Sequence, residues 1–404
     1  MNKYCRITPE GTRDYVFDEC ILRRELEHQV AALFSRRGFT EVVTPEIEFM
    51  DVFTLPSCHI PEEGMYKLTD RKGRLIALRP DSTMPIARLV STRMKDFPVP
   101  IRLFYNQKVY HATPSLAGKS DEELQSGIEI IGVSGVRADL EAVSLAVETL
   151  EACNPSDYRL ELGHIAIFNR LIEKYQIDGE LGEEIRSLIE MKNYPALNDL
   201  LDSALPEPAA FAFKQLPRLF GGDEIFDQAI RVLDDPEITK IIGYLRDLYF
   251  ALEQLGLQDK VSVDLGLVNQ AHYYTGVLFR GYISGFGQAV LSGGRYDRLF
   301  AEFGLSHPAI GFGINLDAVL ASVMENRPKT LSASSEVLVF AEKGYEVQGL
   351  LYIRERLKDN GVAEYSAFET LEEALSYGKQ KGVSEIAVVS ETVRIIRVEE
   401  ENKA

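Results

Sequence analysis

Residues 124–131, Leu-Gln-Ser-Gly-Ile-Glu-Ile-Ile, carry the first chemical signal in this 404-residue chain. Read as a strand, they place Gln125, Gly127 and Glu129 on one face and Leu124, Ser126, Ile128 and Ile130 on the other. One face can pack. The other sets an amide, a gap and a carboxylate in a row, and the missing side chain at Gly127 leaves room for a ligand. A solvated strand face bearing one charged residue fits the same pattern. A second cluster, Arg79-Pro80-Asp81-Ser82-Thr83, stands between a strand end and a helix. Asp81 or Ser82 suits a helix cap, and Asp81 with Thr83 equally suits an ammonium group. Tyr273 and Tyr274, within Asn269–Gly276, are either core aromatics or the wall and hydroxyl of a pocket. In Ser292-Gly293-Gly294-Arg295-Tyr296-Asp297 the paired glycines bring the backbone close to a ligand or mark a tight turn. No GxxxxGK[ST] phosphate loop and no HExxH occur, and His111, His164 and His272 are isolated. No nucleophile arrangement, metal site or cofactor is expected.

These residues need a scaffold, and its elements are readable. Ile21, Leu22, Leu26, Val30, Leu33 and Phe34 recur at helical spacing over 18–37, with Gly38 as a C-cap. Residues 65–79 form a hairpin turning at Arg71-Lys72-Gly73, and a helix covers 82–92. Strands follow at 101–111 and 124–133, separated by a polar loop over 112–123, then a helix at 139–153 and a strand at 158–163. The stretch 166–255 is helical in pattern. Strand signal returns where Val261, Val263, Leu265 and Leu267 alternate with their neighbours, and again at 276–284, 287–292 and 311–315, with a helix at 316–325. The fold class is therefore α+β: a mostly antiparallel sheet flanked by helices, formed by 1–165 with 256–325, interrupted by a helical insertion at 166–255. Residues 326–336, NRPKTLSASSE, read as a linker, and 337–404 as a small α/β domain.

Composition excludes whole classes. The 44 basic against 62 acidic residues leave a net charge of −18, a poor footing for a general nucleic-acid binder. The four cysteines form no CxxC pair, which fits reduced thiols in a cytoplasmic chain. No secretory leader is visible and no apolar run is long enough to span a bilayer, so no membrane partner is expected.

Taken together, the segments resemble histidyl-tRNA synthetase, a class II aminoacyl-tRNA synthetase, over roughly residues 6–325. ITPEGTRDY and RRGFTEVVTPEIEF are similar to the family's opening and first class II motif. MYKLTDRKGRLIALRPDST resembles its hairpin ending in Arg-Pro-Glu-Gly-Thr, LQSGIEIIG its Gln-x-Gly-x-Glu strand, and LVNQAHYYTGVLF its Leu-Val-Arg-Gly-Leu-Asp-Tyr-Tyr stretch. SGGRYDRL and AIGFGINLD resemble the Gly-Gly-Arg-Tyr-Asp element and the third motif. The resemblance implies a class II sheet and a histidine-recognition set. The ammonium-binding pair falls on Asp81 and Thr83, the strand's glutamine and glutamate on Gln125 and Glu129, and the imidazole-facing tyrosine on Tyr274 with Tyr273 beside it. A carboxylate and a phenol suit imidazole, because they can fix its tautomer or stabilise its cation.

The activation machinery is missing. The family's second-motif arginine falls on His111, and the acid and arginine after it on Thr113 and Pro114. Further loop arginines fall on Lys119 and Asp121, the histidine-specific arginine on Asn269, and the third-motif arginine on Ala318. Adenylation gathers negative charge on phosphorus, so the loss of these guanidiniums argues against aminoacylation and a tRNA partner. The combination resembles the synthetase-like regulatory subunits of ATP phosphoribosyltransferase. That resemblance implies a non-catalytic chain in the first step of histidine biosynthesis, sensing L-histidine for feedback inhibition. It also implies a dimer joined to short-form catalytic subunits in a hetero-octamer. An active synthetase and a purely architectural subunit with a vestigial pocket are the alternatives. The ligand's carboxylate needs donors: Gln125 is one, and Arg295 and a backbone amide are further, unranked candidates.

Overall fold

The first long helix forms where an apolar stripe meets a continuous sheet. Helix α1 (Asp18–Arg36) buries Leu22, Leu26, Val30 and Phe34, one per turn, and Phe34 meets Phe104 and Phe312 of that sheet. The computed structural model describes residues 3–57, 60–113, 120–153, 155, 157–268, 273–325, 335–359 and 361–398. Within these, the elements that follow α1 are β1 (Thr40–Glu41), β2 (Ile47–Phe49), β3 (Lys67–Thr69), β4 (Leu75–Leu78) and α2 (Thr83–Arg93). Next come β5 (Ile101–Tyr110), β6 (Glu122–Ile131), α3 (Val136–Ala152) and β7 (Tyr158–His164). The interrupting segment holds α4 (Ile165–Lys174), α5 (Gly179–Glu190), α6 (Tyr194–Ala204), α7 (Glu207–Gln215), β8 (Phe220–Gly221), α8 (Glu224–Leu233) and α9 (Pro236–Gln254). The chain then resumes with β9 (Val261–Asp264), β10 (Val277–Ile283), β11 (Leu291–Arg295), α10 (Leu299–Glu302), β12 (Ala309–Asn315) and α11 (Leu316–Glu325).

Among the described residues one nine-stranded sheet runs in the order β1-β5-β6-β12-β11-β10-β7-β9-β8. Its six central strands pair antiparallel, while β1–β5 and β7–β9 are parallel. Strands from either side of the interrupting segment therefore share one sheet. That segment is not wholly helical, because β8 adds an edge strand beside β9. Its longest helix, α9, starts at Asp235, whose carboxylate accepts from the Glu237 and Ile238 amides, with Pro236 at the first helical position. A separate sheet orders β2-β4-β3, its hairpin turning through residues 70–74.

One sequence expectation is corrected and one open alternative is decided. The alternation at 261–268 forms a strand only to Asp264, whose side chain accepts from the Gly266 amide at 2.9 Å and turns the chain. Gly293 and Gly294 lie inside β11 rather than in a turn. They are needed there for close packing, since a Cβ at either would strike Phe312 and Phe279 or Val277, Leu278 and Tyr274.

The chain divides into two compact units: Met1–Asp14 with Leu22–Arg327, and Tyr15–Ile21 with Pro328–Ala404. The second contains β13 (Val337–Ala341), α12 (Glu346–Arg356), β14 (Ala363–Tyr365), α13 (Leu371–Lys381), β15 (Glu385–Val389) and β16 (Val393–Arg397). Its sheet runs β14-β13-β15-β16, parallel except for the last pair. Leu338, Phe340, Ile386 and Val388 pack on one face, and Val337, Val339, Ala387 and Val389 on the other. Most of the 326–336 linker expectation, residues 326–334, lies outside the described residues.

Candidate functional site

Strand β6 presents Glu129 to the interior, with only 1% of the residue exposed. Thr83, at the start of α2, donates to its Oε1 at 2.9 Å, and the Tyr296 hydroxyl donates to its Oε2. Burial pushes the Glu129 carboxyl up to about 8; these two hydrogen bonds hold it down in part and nearby Asp81 adds to the rise. At neutral pH the site therefore contains a largely protonated, buried acid.

Asp81 serves the capping role left open by the sequence. Its Oδ1 accepts from the Met84 amide at 2.8 Å, capping α2, and its charge reaches Glu129, Tyr105, Tyr273 and Tyr274. Burial raises it to about 6 against the backbone hydrogen bonds that lower it. The structure thus gathers Asp81, Thr83, Glu129, Tyr273 and Tyr274 at one place. Gln125 joins them through Tyr105, whose hydroxyl donates to Gln125 Oε1 at 3.1 Å. Tyr273 and Tyr274 have ring centroids 4.6 Å apart, and Tyr296 crosses them at 5.6 and 6.4 Å. Burial raises all four phenols, so they remain neutral donors.

The floor is bare backbone. Register places Glu129 opposite Gly311, Gly311 opposite Gly294, Gly127 opposite Gly313, and Gly313 opposite Ser292. A Cβ at Gly311 would run into the Glu129 carboxylate, and one at Gly127 into the Tyr105 hydroxyl. The glycine gap expected at 127 is one of four. Tyr105 and Tyr296 were not among the sequence candidates. Tyr296 lay in a motif already singled out, whereas Tyr105 becomes significant only once β5 pairs with β6 and sets it opposite Gly127.

Arg295 must be removed from the candidate carboxylate contacts. It lies one residue beyond Gly294 on β11 and so faces the opposite side of the sheet. There Nε donates to Asp139 Oδ1 at 2.7 Å and Nη1 to Asp297 at 2.9 Å, while the Tyr244 hydroxyl donates to the other Asp139 oxygen. Its charge is committed to a buried pair. In the loop facing β5, Asp121 stands where the synthetase pattern has an arginine. It accepts from the Tyr66 hydroxyl and from both the amide and hydroxyl of Thr113. Burial tends to raise this carboxyl, but the Thr113 and Tyr66 hydrogen bonds hold it below the usual range, so it is an anion where a phosphate would need a cation. Ala318 caps nothing with its side chain; its amide donates to Asn315. Pro114, Lys119 and Asn269 lie outside the described residues.

Residues 11–319 match the family model described as histidyl-tRNA synthetase. An ATP phosphoribosyltransferase regulatory subunit from Clostridium kluyveri is 38% identical over 95% of this chain and 99% of its own length. The chain belongs to the histidyl-tRNA synthetase-like family of ATP phosphoribosyltransferase regulatory subunits. Among solved structures, an ATP phosphoribosyltransferase regulatory subunit/histidyl-tRNA synthetase from Bacillus halodurans is similar, with a TM-score of 0.82 and 26% identity, covering 93% of this chain and 97% of that one. Histidyl-tRNA synthetase from Nostoc shares the fold, with a TM-score of 0.79 at 18% identity over 97% of each chain. As in these relatives, the large antiparallel sheet defines the class II architecture. No helix among the described residues is long and apolar enough to cross a membrane.

Proposed function

We propose that this chain is a non-catalytic regulatory subunit that works with the short-form catalytic subunit of ATP phosphoribosyltransferase and senses L-histidine in the pocket around Glu129. The observation that carries this reading is a buried acid beside Asp81, Thr83 and neutral phenols, above a glycine floor, in a chain where Asp121 stands at the position of a phosphate-binding arginine in the synthetase pattern. Protonated Glu129 can meet a neutral imidazole nitrogen and share its proton, giving a carboxylate–imidazolium pair in low dielectric. The ligand ammonium lies against Asp81, and Gln125 with Tyr105 lines the adjacent wall. Feedback follows if the low-activity state of the complex holds this pocket closed more favourably than the active state does.

Self-association within a hetero-octamer is part of the same proposal. Ile47, Phe49 and Leu68 are exposed on one face of the β2-β4-β3 sheet, an apolar surface of the kind that partners cover. The net charge of −18 and the anionic Asp121 loop disfavour tRNA and ATP phosphate binding. Titration calorimetry with L-histidine, with ATP and other amino acids as controls, tests the reading. Saturable histidine binding without ATP binding, and no histidine-dependent ATP–pyrophosphate exchange, is the expected result. Exchange activity would restore the synthetase reading. Absence of histidine binding both alone and with the catalytic subunit present would leave an architectural subunit.

A further inference from the structure

With Arg295 turned to the far face, the carboxylate of an amino-acid ligand lacks a cation among the residues that gather round Glu129. The sheet register supplies one. The row Gly127–Gly313–Ser292 continues to Arg280 on β10, so Arg280 rises from the same face as Glu129, on the opposite side of the glycine floor. Ser292 lies between them on a central strand yet is exposed, so the floor is open to solvent there.

We infer that Arg280 is the residue that binds the ligand's carboxylate, an assignment that rests on the histidine-pocket reading above. One nitrogen of its guanidinium meets two acceptors: Nη2 donates to the Val268 carbonyl at 2.6 Å and to Glu190 Oε1 at 3.0 Å. A guanidinium has five N–H groups; the Tyr282 hydroxyl also bonds Arg280, and Glu161 and Asp264 line the same cavity, so a ligand carboxylate shares with these groups the planar, two-pronged fork that arginine offers. Proximity to the pocket is independently visible, because the positive charge of Arg280 offsets part of the rise of the Tyr274 phenol. Two other cations near the sheet are engaged. Arg79 is 2% exposed and donates to the Lys108 and Thr44 carbonyls, and Arg295 is bound to Asp139 and Asp297. Glu190, on α5, competes for the same guanidinium. Ligand binding at Arg280 therefore draws on a contact between the sheet and the interrupting segment.

The test compares L-histidine with histamine, which lacks the carboxylate, by calorimetry on the full-length wild type, R280Q, R280K and E190Q, with circular dichroism to confirm folding. R280Q should weaken L-histidine roughly 10- to 100-fold while changing histamine by less than about twofold, so that the two ligands converge. R280K should fall between, because lysine keeps the charge but not the fork. E190Q, which removes one competing carboxylate, should keep or tighten L-histidine binding. Equal weakening of both ligands by R280Q, or no change in either, overturns the assignment while leaving the pocket intact. Failure of the wild type to bind L-histidine in any state of assembly removes the pocket reading itself, and the assignment with it.

Discussion

Replacing Glu129 by Gln isolates the proton on which the proposed recognition depends. The amide is isosteric, and its oxygen can still accept from Thr83 at the 2.9 Å position while its NH2 faces the Tyr296 hydroxyl, so the fold should be kept. What is lost is a charge-assisted bond to imidazolium, worth ~1.5–3 kcal/mol, or roughly a 10- to 150-fold weaker affinity near neutral pH. The pH dependence is more diagnostic. The complex needs one proton shared between carboxyl and imidazole. Below about 8 the empty site already carries it on Glu129, and above about 8 it does not. Because the ligand's own titrations are common to both proteins, the ratio of wild-type to E129Q affinity should be flat from pH 6 to 7.5. Above pH 8 it should then fall by up to about tenfold per unit. Calorimetry at half-unit intervals, corrected for buffer ionisation, measures it. A ratio near one at neutral pH, or a ratio unchanged to pH 9.5, would refute the reasoning.

Three further outcomes follow from named contacts. The Glu129 carboxyl, raised from 4.5 to about 8, favours the fold fully below the lower value, and this contribution is lost as pH rises through the upper one. Thermal unfolding of the empty wild type should therefore weaken between pH 5.5 and 8.5 more than that of E129Q, and equal slopes would contradict this. Arg295→Met strands Asp139, only 1% exposed, without its cation, and should cost ~3–5 kcal/mol in urea unfolding without changing the preference for L-histidine over histamine. Asp235→Ala removes the cap of α9 together with the Arg170 ion pair, and should cost ~1–2 kcal/mol by the same assay.

Much of the cluster around Glu129 was legible because β strands enforce a period of two. That rule alone put Gln125, Gly127 and Glu129 on one face, and the helix after Pro80 placed Asp81 and Thr83 at its start. Long-range partners were not legible in the same way. Tyr296 reaches Glu129 across 167 residues and Arg295 reaches Asp139 across 156, so the neighbours of each are set by strand order rather than by local pattern. One residue of register decided the case of Arg295, since Gly294 and Arg295 are adjacent and face opposite sides of β11. The pair Gly293-Gly294 stayed ambiguous for a related reason: glycine marks close approach in a strand as readily as a turn, and only the packing of Phe279, Phe312 and Tyr274 distinguishes them. At 265–268 the apolar alternation outlasted the strand, because an Asp264 side chain can stop a ladder that hydrophobicity would continue.

The floor of Gly127, Gly294, Gly311 and Gly313 gives the site a one-sided mutational spectrum. Wall residues such as Thr83, Tyr105 or Arg280 can be trimmed, enlarged or exchanged, so their variants can loosen, tighten or retune recognition. A floor glycine has nothing to trim. Every substitution there adds atoms to ground already occupied by Glu129, Tyr105 or Tyr274, and a random library of this chain should yield altered ligand preference from the walls and only loss of function from the floor.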